Sequence, residues 1–182
     1  MSLQNIPVLV ITGPVGVGKT TVAAELSELL GQTRQAHALV DLDWLRWCYP
    51  SPADDPFQLA LGLQNLAAVW SRYRAAGAAR LILVDVVESR ATLASYHTAI
   101  PGAEILLVRL HADLPTLYSR LAGRERGVSL AWHQQRAAEL TTIMAQAQLE
   151  DLLVDTTGRS PLDIAKEIIA LSARRQRTSC GT

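Results

Sequence analysis

Short apolar runs alternate along the chain with longer stretches of helical periodicity. VLVIT (8–12), HALVD (37–41), RLILVDV (80–86), EILLVRL (104–110) and LLVD (152–155) are rich in β-branched and aliphatic residues. They lack the strict polar alternation of a half-exposed strand, as expected of strands covered on both faces. Between them lie helix patterns over 19–30, roughly 57–76, 89–99, 113–124, 130–149 and 161–175. Ser160 and Pro161 read as an N-cap and first helical residue, while Gly31 and Gly77 fall where helices should end. This alternation predicts an α/β fold, a mostly parallel sheet with right-handed crossovers. Two segments stand outside it: the proline-rich CYPSPADDP (48–56) and the polar, glycine-flanked AGRERGVSL (122–130). The end, from 174 to 182, reads as a disordered tail. That leaves residues 1–173 as a single domain.

Composition narrows the function. A chain of 182 residues, 49% hydrophobic, supports one sizeable core. Its formal net charge is zero, so no global field recruits nucleic acid or an anionic membrane; any anion site must be local. No basic leader opens the chain, and no apolar run approaches the roughly 18–20 residues that span a bilayer. Cys48 and Cys180 lie far apart, which fits a reduced cytoplasmic protein better than a disulfide framework. Of 17 basic residues only Lys19 and Lys166 are lysines.

One of those lysines closes a glycine loop. Gly13-Pro14-Val15-Gly16-Val17-Gly18-Lys19-Thr20, followed by Thr21, matches G-x-x-x-x-G-K-[ST] without a mismatch, after a predicted strand and at the start of a predicted helix. Glycines let backbone N–H groups approach phosphate oxygens with no Cβ in the way. The helix N-terminus favours the same anion. Lys19 has the reach for the β- and γ-phosphates of a nucleotide, and the Thr20 hydroxyl suits Mg²⁺.

In doubly wound sheets ligands sit beyond the carboxyl ends of the strands, and acids occur there. Asp85 follows four apolar residues, either as a Mg²⁺-supporting acid or as a cap on the next turn. Asp41 and Asp43, two apart, face one side of an extended segment. They read either as a metal-supporting acid and a general base, Asp43 being the base, or as a helix N-cap pair. Trp44 and Trp47, at helical spacing, either wall an acceptor pocket or pack in the core. Arg46 either binds an anionic group or sits on the surface. Arg120, Arg124, Arg126 and Arg136 form either a solvated face or a mobile lid, about 122–130, that neutralises a transferring phosphoryl group. His37, His97, His111 and His133 show no metal-ligand spacing.

Together these residues resemble the small P-loop kinases of the nucleoside monophosphate kinase-like fold, in the branch of shikimate, gluconate and adenylylsulfate kinases and chloramphenicol phosphotransferase-like enzymes. The resemblance covers roughly 8–173. It implies a three-layer P-loop NTPase fold, with a five-stranded parallel sheet in the order 2-3-1-4-5, helices on both faces and a short lid. RLAGR (120–124) is similar to the start of the adenylate kinase lid, which implies Arg120 on the adenine and Arg124 on the phosphates. DLD (41–43) resembles the Asp-x-Asp of shikimate kinases. VDTTGRSPLDIAKEII (154–169) resembles the final strand and adenine loop, which implies Gly158 and Arg159 near the base. Where adenylate kinases carry Asp-Gly-x-Pro-Arg, this chain has Asp85-Val-Val-Glu-Ser-Arg90, so Arg90 is the substrate-side cation, one place late. The acceptor motifs of shikimate and gluconate kinases are absent.

The function expected is ATP- and Mg²⁺-dependent phosphoryl transfer to a small hydroxyl- or phosphate-bearing acceptor, by a cytoplasmic monomer or homodimer. The alternatives are an ATPase or switch protein without an acceptor, and an inactive nucleotide-binding scaffold. No Asn-Lys-x-Asp guanine motif occurs.

Overall fold

The computed structural model describes residues 5–179. Five strands form one all-parallel sheet in the order β2-β3-β1-β4-β5. They are β1 (Ile6–Thr12), β2 (Ala38–Asp41), β3 (Leu81–Val84), β4 (Ala103–His111) and β5 (Leu152–Asp155). The connecting helices are α1 (Lys19–Gln32), α2 (Leu42–Leu45), α3 (Leu59–Ala75), α4 (Arg90–Ala99), α5 (Leu114–Arg124), α6 (Gly127–Ala147) and α7 (Pro161–Ser179). Expected order and observed order agree.

Strand alternation divides the core between the two faces of the sheet. Ile11, Ile82 and Val84 face α1, α5 and α7, packing with Leu26, Leu117, Leu121, Ile164 and Ile168. Val8, Val10, Leu81 and Leu83 face α3 and α4, packing with Leu66, Trp70, Tyr96 and Ile100. Both faces of β3 are buried, which is why it reads as an unbroken apolar run. Each such aliphatic side chain contributes about 1.5–3 kcal/mol on burial, so both layers are needed to hold the central strands.

Local chemistry sets the helix ends. Asp113 caps α5 by accepting from Thr116 N at 2.8 Å. Ser160 Oγ accepts from Asp163 N at 3.1 Å and opens α7 as expected. Gly77, at φ 100°, ends α3 by donating its N–H to Arg74 O at 3.0 Å. Gly31 does not end α1, which runs on to Gln32; Arg34 takes the left-handed position instead, at φ 54°.

Three segments gain definition in the structure. The helix start left open at Asp41 and Asp43 is the single turn α2, capped by Asp41. The segment 122–130, expected as a short lid, is the junction of two helices, with Glu125 and Arg126 between α5 and α6 and Gly127 at φ 65°. The tail expected to be disordered from 174 continues as α7 through Ser179, while 180–182 lie outside the described residues. No helix among the described residues is long and apolar enough to cross a membrane.

Candidate active site

The carboxyl end of β1 runs into the glycine loop. Gly13, Gly16 and Gly18 have φ of 146°, 85° and 100°, the left-handed conformations that turn successive N–H groups toward an anion. A Cβ at Gly13 would lie 2.5 Å from the Leu110 carbonyl oxygen, whereas one at Gly18 meets nothing within 4 Å. Gly13→Ala is therefore expected to cost about 3 kcal/mol, the sum of overpacking against β4 and a forced positive φ. Gly18→Ala bears the φ penalty alone. Thermal unfolding of the two variants tests this ordering; equal midpoints would refute it.

Lys19, the first residue of α1, donates from Nζ to the carbonyl oxygens of Gly13 at 3.0 Å and Pro14 at 3.3 Å. Burial pulls its ammonium below the ordinary lysine value, against the opposing fields of Asp43, Asp85 and Asp41. Thr20 Oγ1 donates to Asp41 Oδ2 at 2.7 Å. The other oxygen, Asp41 Oδ1, accepts from Asp43 N at 3.1 Å and caps α2. Of the readings left open by the sequence, the structure shows the N-cap, made by Asp41. Thr20 and Asp41 offer hard oxygen donors of the kind Mg²⁺ takes. Among the described residues no three His, Cys, Asp or Glu side chains cluster as a metal cage.

Asp85, read from the sequence either as a Mg²⁺-supporting acid or as a cap on the next turn, is enclosed by protein partners and takes the Val86 N–H of that turn. It is 2% exposed, and its Oδ1 is engaged by Arg46 Nη2 and by the Val86 N–H at 2.7 Å. Its Oδ2 accepts from the Tyr96 hydroxyl at 2.5 Å. Burial pushes this carboxyl up, with Arg46 as the strongest opposing influence. Both oxygens meet protein partners, as do those of Asp41, and Asp85 lies at the centre of a buried polar cluster with Arg46 and Tyr96.

Two cavities flank the loop. The larger, about 690 Å³, is lined on one side by Lys19, Thr20 and Thr21 and on the other by Asp43, Arg46, Phe57 and Trp132. The smaller, about 330 Å³, lies between the loop and the start of α7, and is lined by Val17, Arg120, Thr156 and Arg159. Arg124 borders both. Arg120 joins the loop to the turn after β5: its Nη1 donates to Val17 O at 3.0 Å and Thr156 Oγ1 at 3.1 Å, its Nη2 to Thr156 O at 2.8 Å. Arg159 donates to Asp155 O at 2.9 Å and pairs with Glu167 at 2.5 Å. Gly158 sits in the same turn at φ 67°.

Three substrate-side expectations fall outside the larger cavity. Trp44 and Trp47 pack on each other, ring centroids 5.1 Å apart, and are 67% and 79% exposed. The physical reason is helical phase: Leu42 and Arg46, four apart, take the inward face of this turn and leave the tryptophans outside. Arg90 begins α4 on its exposed side, while Ser89, Thr92 and Tyr96 line the cavity. Tyr96, Glu88, Trp132 and Arg136 were not singled out as cavity residues. The spacing 89, 92, 96 along one helix face was a signal for the first of these; nothing local marks the others.

Fold and loop together define a P-loop NTPase-like α/β protein. The chain belongs to the AAA domain family, which it matches over residues 9–142. Among solved structures it is similar to a gluconokinase from Sinorhizobium meliloti, at 18% identity and TM-score 0.64, covering 98% of this chain and 97% of that one. It is also similar to the Deinococcus radiodurans tunicamycin resistance protein, at 23% identity and TM-score 0.62, covering 92% and 96%. A third is the Mycobacterium tuberculosis APS kinase, solved with AMPPNP and APS, at 22% identity and TM-score 0.62, covering 93% and 98%. At these identities the likeness establishes a P-loop kinase-like fold. No curated protein matches the chain.

Proposed function

We propose that this protein is an ATP-dependent kinase of a small hydroxyl-bearing acceptor. The observation that carries the reading is the larger cavity, which joins the Lys19–Thr20 end of the glycine loop to a walled space with the Asp43 carboxylate on its side. A nucleotide hydrolase or switch needs no such compartment.

In this reading the loop amides and Lys19 hold the β- and γ-phosphates, and the adenosine lies in the smaller cavity beside Arg120, Gly158 and Arg159. Thr20 and Asp41 hold Mg²⁺, which when bound screens the phosphate oxygens. Asp43 lies 3.5 Å from Arg46 and borders the larger cavity. It accepts the proton of the acceptor hydroxyl as that oxygen bonds to the γ-phosphorus and the bond to the β-phosphate oxygen breaks, releasing ADP. Arg124, at the border of both cavities, neutralises charge on the transferring group.

The test is Mg·ATP turnover, read as ADP release, against nucleosides, nucleoside monophosphates, sugar acids, cyclitols, shikimate and hydroxylated antibiotics. Asp43→Asn is expected to lower acceptor-dependent kcat by about 10²–10⁴-fold with ATP binding retained. Full activity in that variant would dismiss Asp43 as the base. ADP release indifferent to every acceptor would instead favour an ATPase or switch.

A further inference from the structure

We infer that the acceptor is an uncharged, hydroxylated molecule carrying an apolar ring, rather than a carboxylate or a phosphate ester. This rests on the kinase reading above and concerns the acceptor half of the larger cavity. Two arginines line that half, and each is already held between two carboxylates. Arg46 Nη2 pairs with Asp85 Oδ1 and lies 3.5 Å from Asp43. Arg136 pairs with Glu88 at 2.5 Å and Glu139 at 3.4 Å. Turning Arg46 toward an anionic substrate would strand Asp85, which is 2% exposed, without its counter-charge. His133 is likewise engaged with Glu125.

The other cations of the cavity, Lys19 and Arg124, the latter paired with Glu125 at 3.2 Å, lie at its phosphate-loop end and not against the acceptor. The acceptor wall therefore presents carboxylates and hydroxyls. Carboxylates accept hydrogen bonds from substrate hydroxyls and repel a substrate anion. The rim points the same way. Phe57, from the α2–α3 connection, and Trp132, from α6, both line the cavity and are 57% and 51% exposed. Large apolar side chains left open at a cavity mouth gain by covering a flat apolar group.

The experiment is calorimetric binding to the full chain in the presence of AMPPNP and Mg²⁺, using p-nitrophenyl β-glucoside, p-nitrophenyl β-glucuronide and methyl β-glucoside, with uridine and its monophosphate as a second matched pair. The uncharged member of each pair is expected to bind at least about tenfold more tightly than its anionic partner, and the nitrophenyl glucoside more tightly than the methyl glucoside. Glu88→Gln leaves Arg136 with Glu139 alone and is expected to narrow the charge preference by about threefold. Anionic members binding as well as or better than their partners, or no uncharged member binding at millimolar concentration, overturns the inference. Binding of uncharged members without ADP release from ATP would leave the inference standing and refute the kinase reading.

Discussion

Lys19→Ala is expected to lower acceptor-dependent kcat by about 10²–10³-fold, or roughly 3–4 kcal/mol of transition-state stabilisation. Three observations set that size. Lys19 is the first residue of α1, directly after the αL glycine Gly18, where the helix N-terminus adds to its charge. Its ammonium hangs on only two loop carbonyls, Gly13 and Pro14, both of which release it readily to a stronger anionic partner. Arg124 opposes the Lys19 charge, and it is itself engaged by Glu125 at 3.2 Å. Stability should change little, because two exchangeable hydrogen bonds contribute about 0.5–1.5 kcal/mol each and the variant sheds a buried charge. The measurement is kcat against the unfolding midpoint: activity should collapse with the midpoint nearly unmoved. Lys19→Arg should not rescue, since a planar guanidinium cannot take the place of a compact ammonium under the loop. Because burial lowers the Lys19 pKa, the alkaline limb of kcat/KM should begin below the ordinary lysine range, as charge is lost there in the free enzyme. Retention of wild-type kcat by Lys19→Ala would remove the loop from the chemistry.

Much of this site was legible in the chain because its signals are local. The strand VLVIT, the glycines and Lys19-Thr20 are contiguous, so pattern and chemistry fall in one window. The five strands are apolar runs, most plainly β3, whose burial on both faces leaves a one-dimensional trace. The place of Asp41 was legible too, as the last residue of β2. What escaped depends on partners far apart in sequence. Asp85 reads as a metal-supporting acid or a turn cap, and nothing local announces its partners, Arg46, 39 residues earlier, and Tyr96, 11 later. Trp44 and Trp47 read as a pocket wall because their i, i+3 spacing fixes a shared face but not which way that face points. The four-residue α2 is too short for periodicity to register, and its Leu42–Arg46 side, which fixes the phase, is recognised only once the core is known. The far wall of the cavity, Trp132 and Arg136, comes from a helix after the glycine loop by more than a hundred residues, and no motif links the two.

Asp85→Ala is expected to destabilise the fold by about 3–5 kcal/mol, the cost of removing one partner of a buried ion pair. The loss has three parts. The Arg46 guanidinium, 14% exposed, keeps one carboxylate, Asp43, at 3.5 Å and itself 66% exposed, beside the Leu42 carbonyl oxygen at 3.3 Å. The Tyr96 hydroxyl, fully buried, loses its acceptor. The turn after β3 loses the Val86 N–H contact. For a chain of this size the midpoint should fall by roughly 6–20 °C. Asp85→Asn retains an oxygen for Tyr96 and should cost less, about 1–3 kcal/mol, since the charge balance with Arg46 is lost but no hydroxyl is stranded. Tyr96→Phe removes a single hydrogen bond to a carboxylate and should cost about 1.5–3 kcal/mol. The order Ala, then Asn, separates a structural hub from a metal ligand. A hub predicts midpoints that fall in that order while the Mg²⁺ concentration needed for half-maximal turnover stays unchanged in Asp85→Asn. A metal ligand predicts the reverse, a wild-type midpoint with a raised Mg²⁺ requirement, and that result would return Asp85 to the metal.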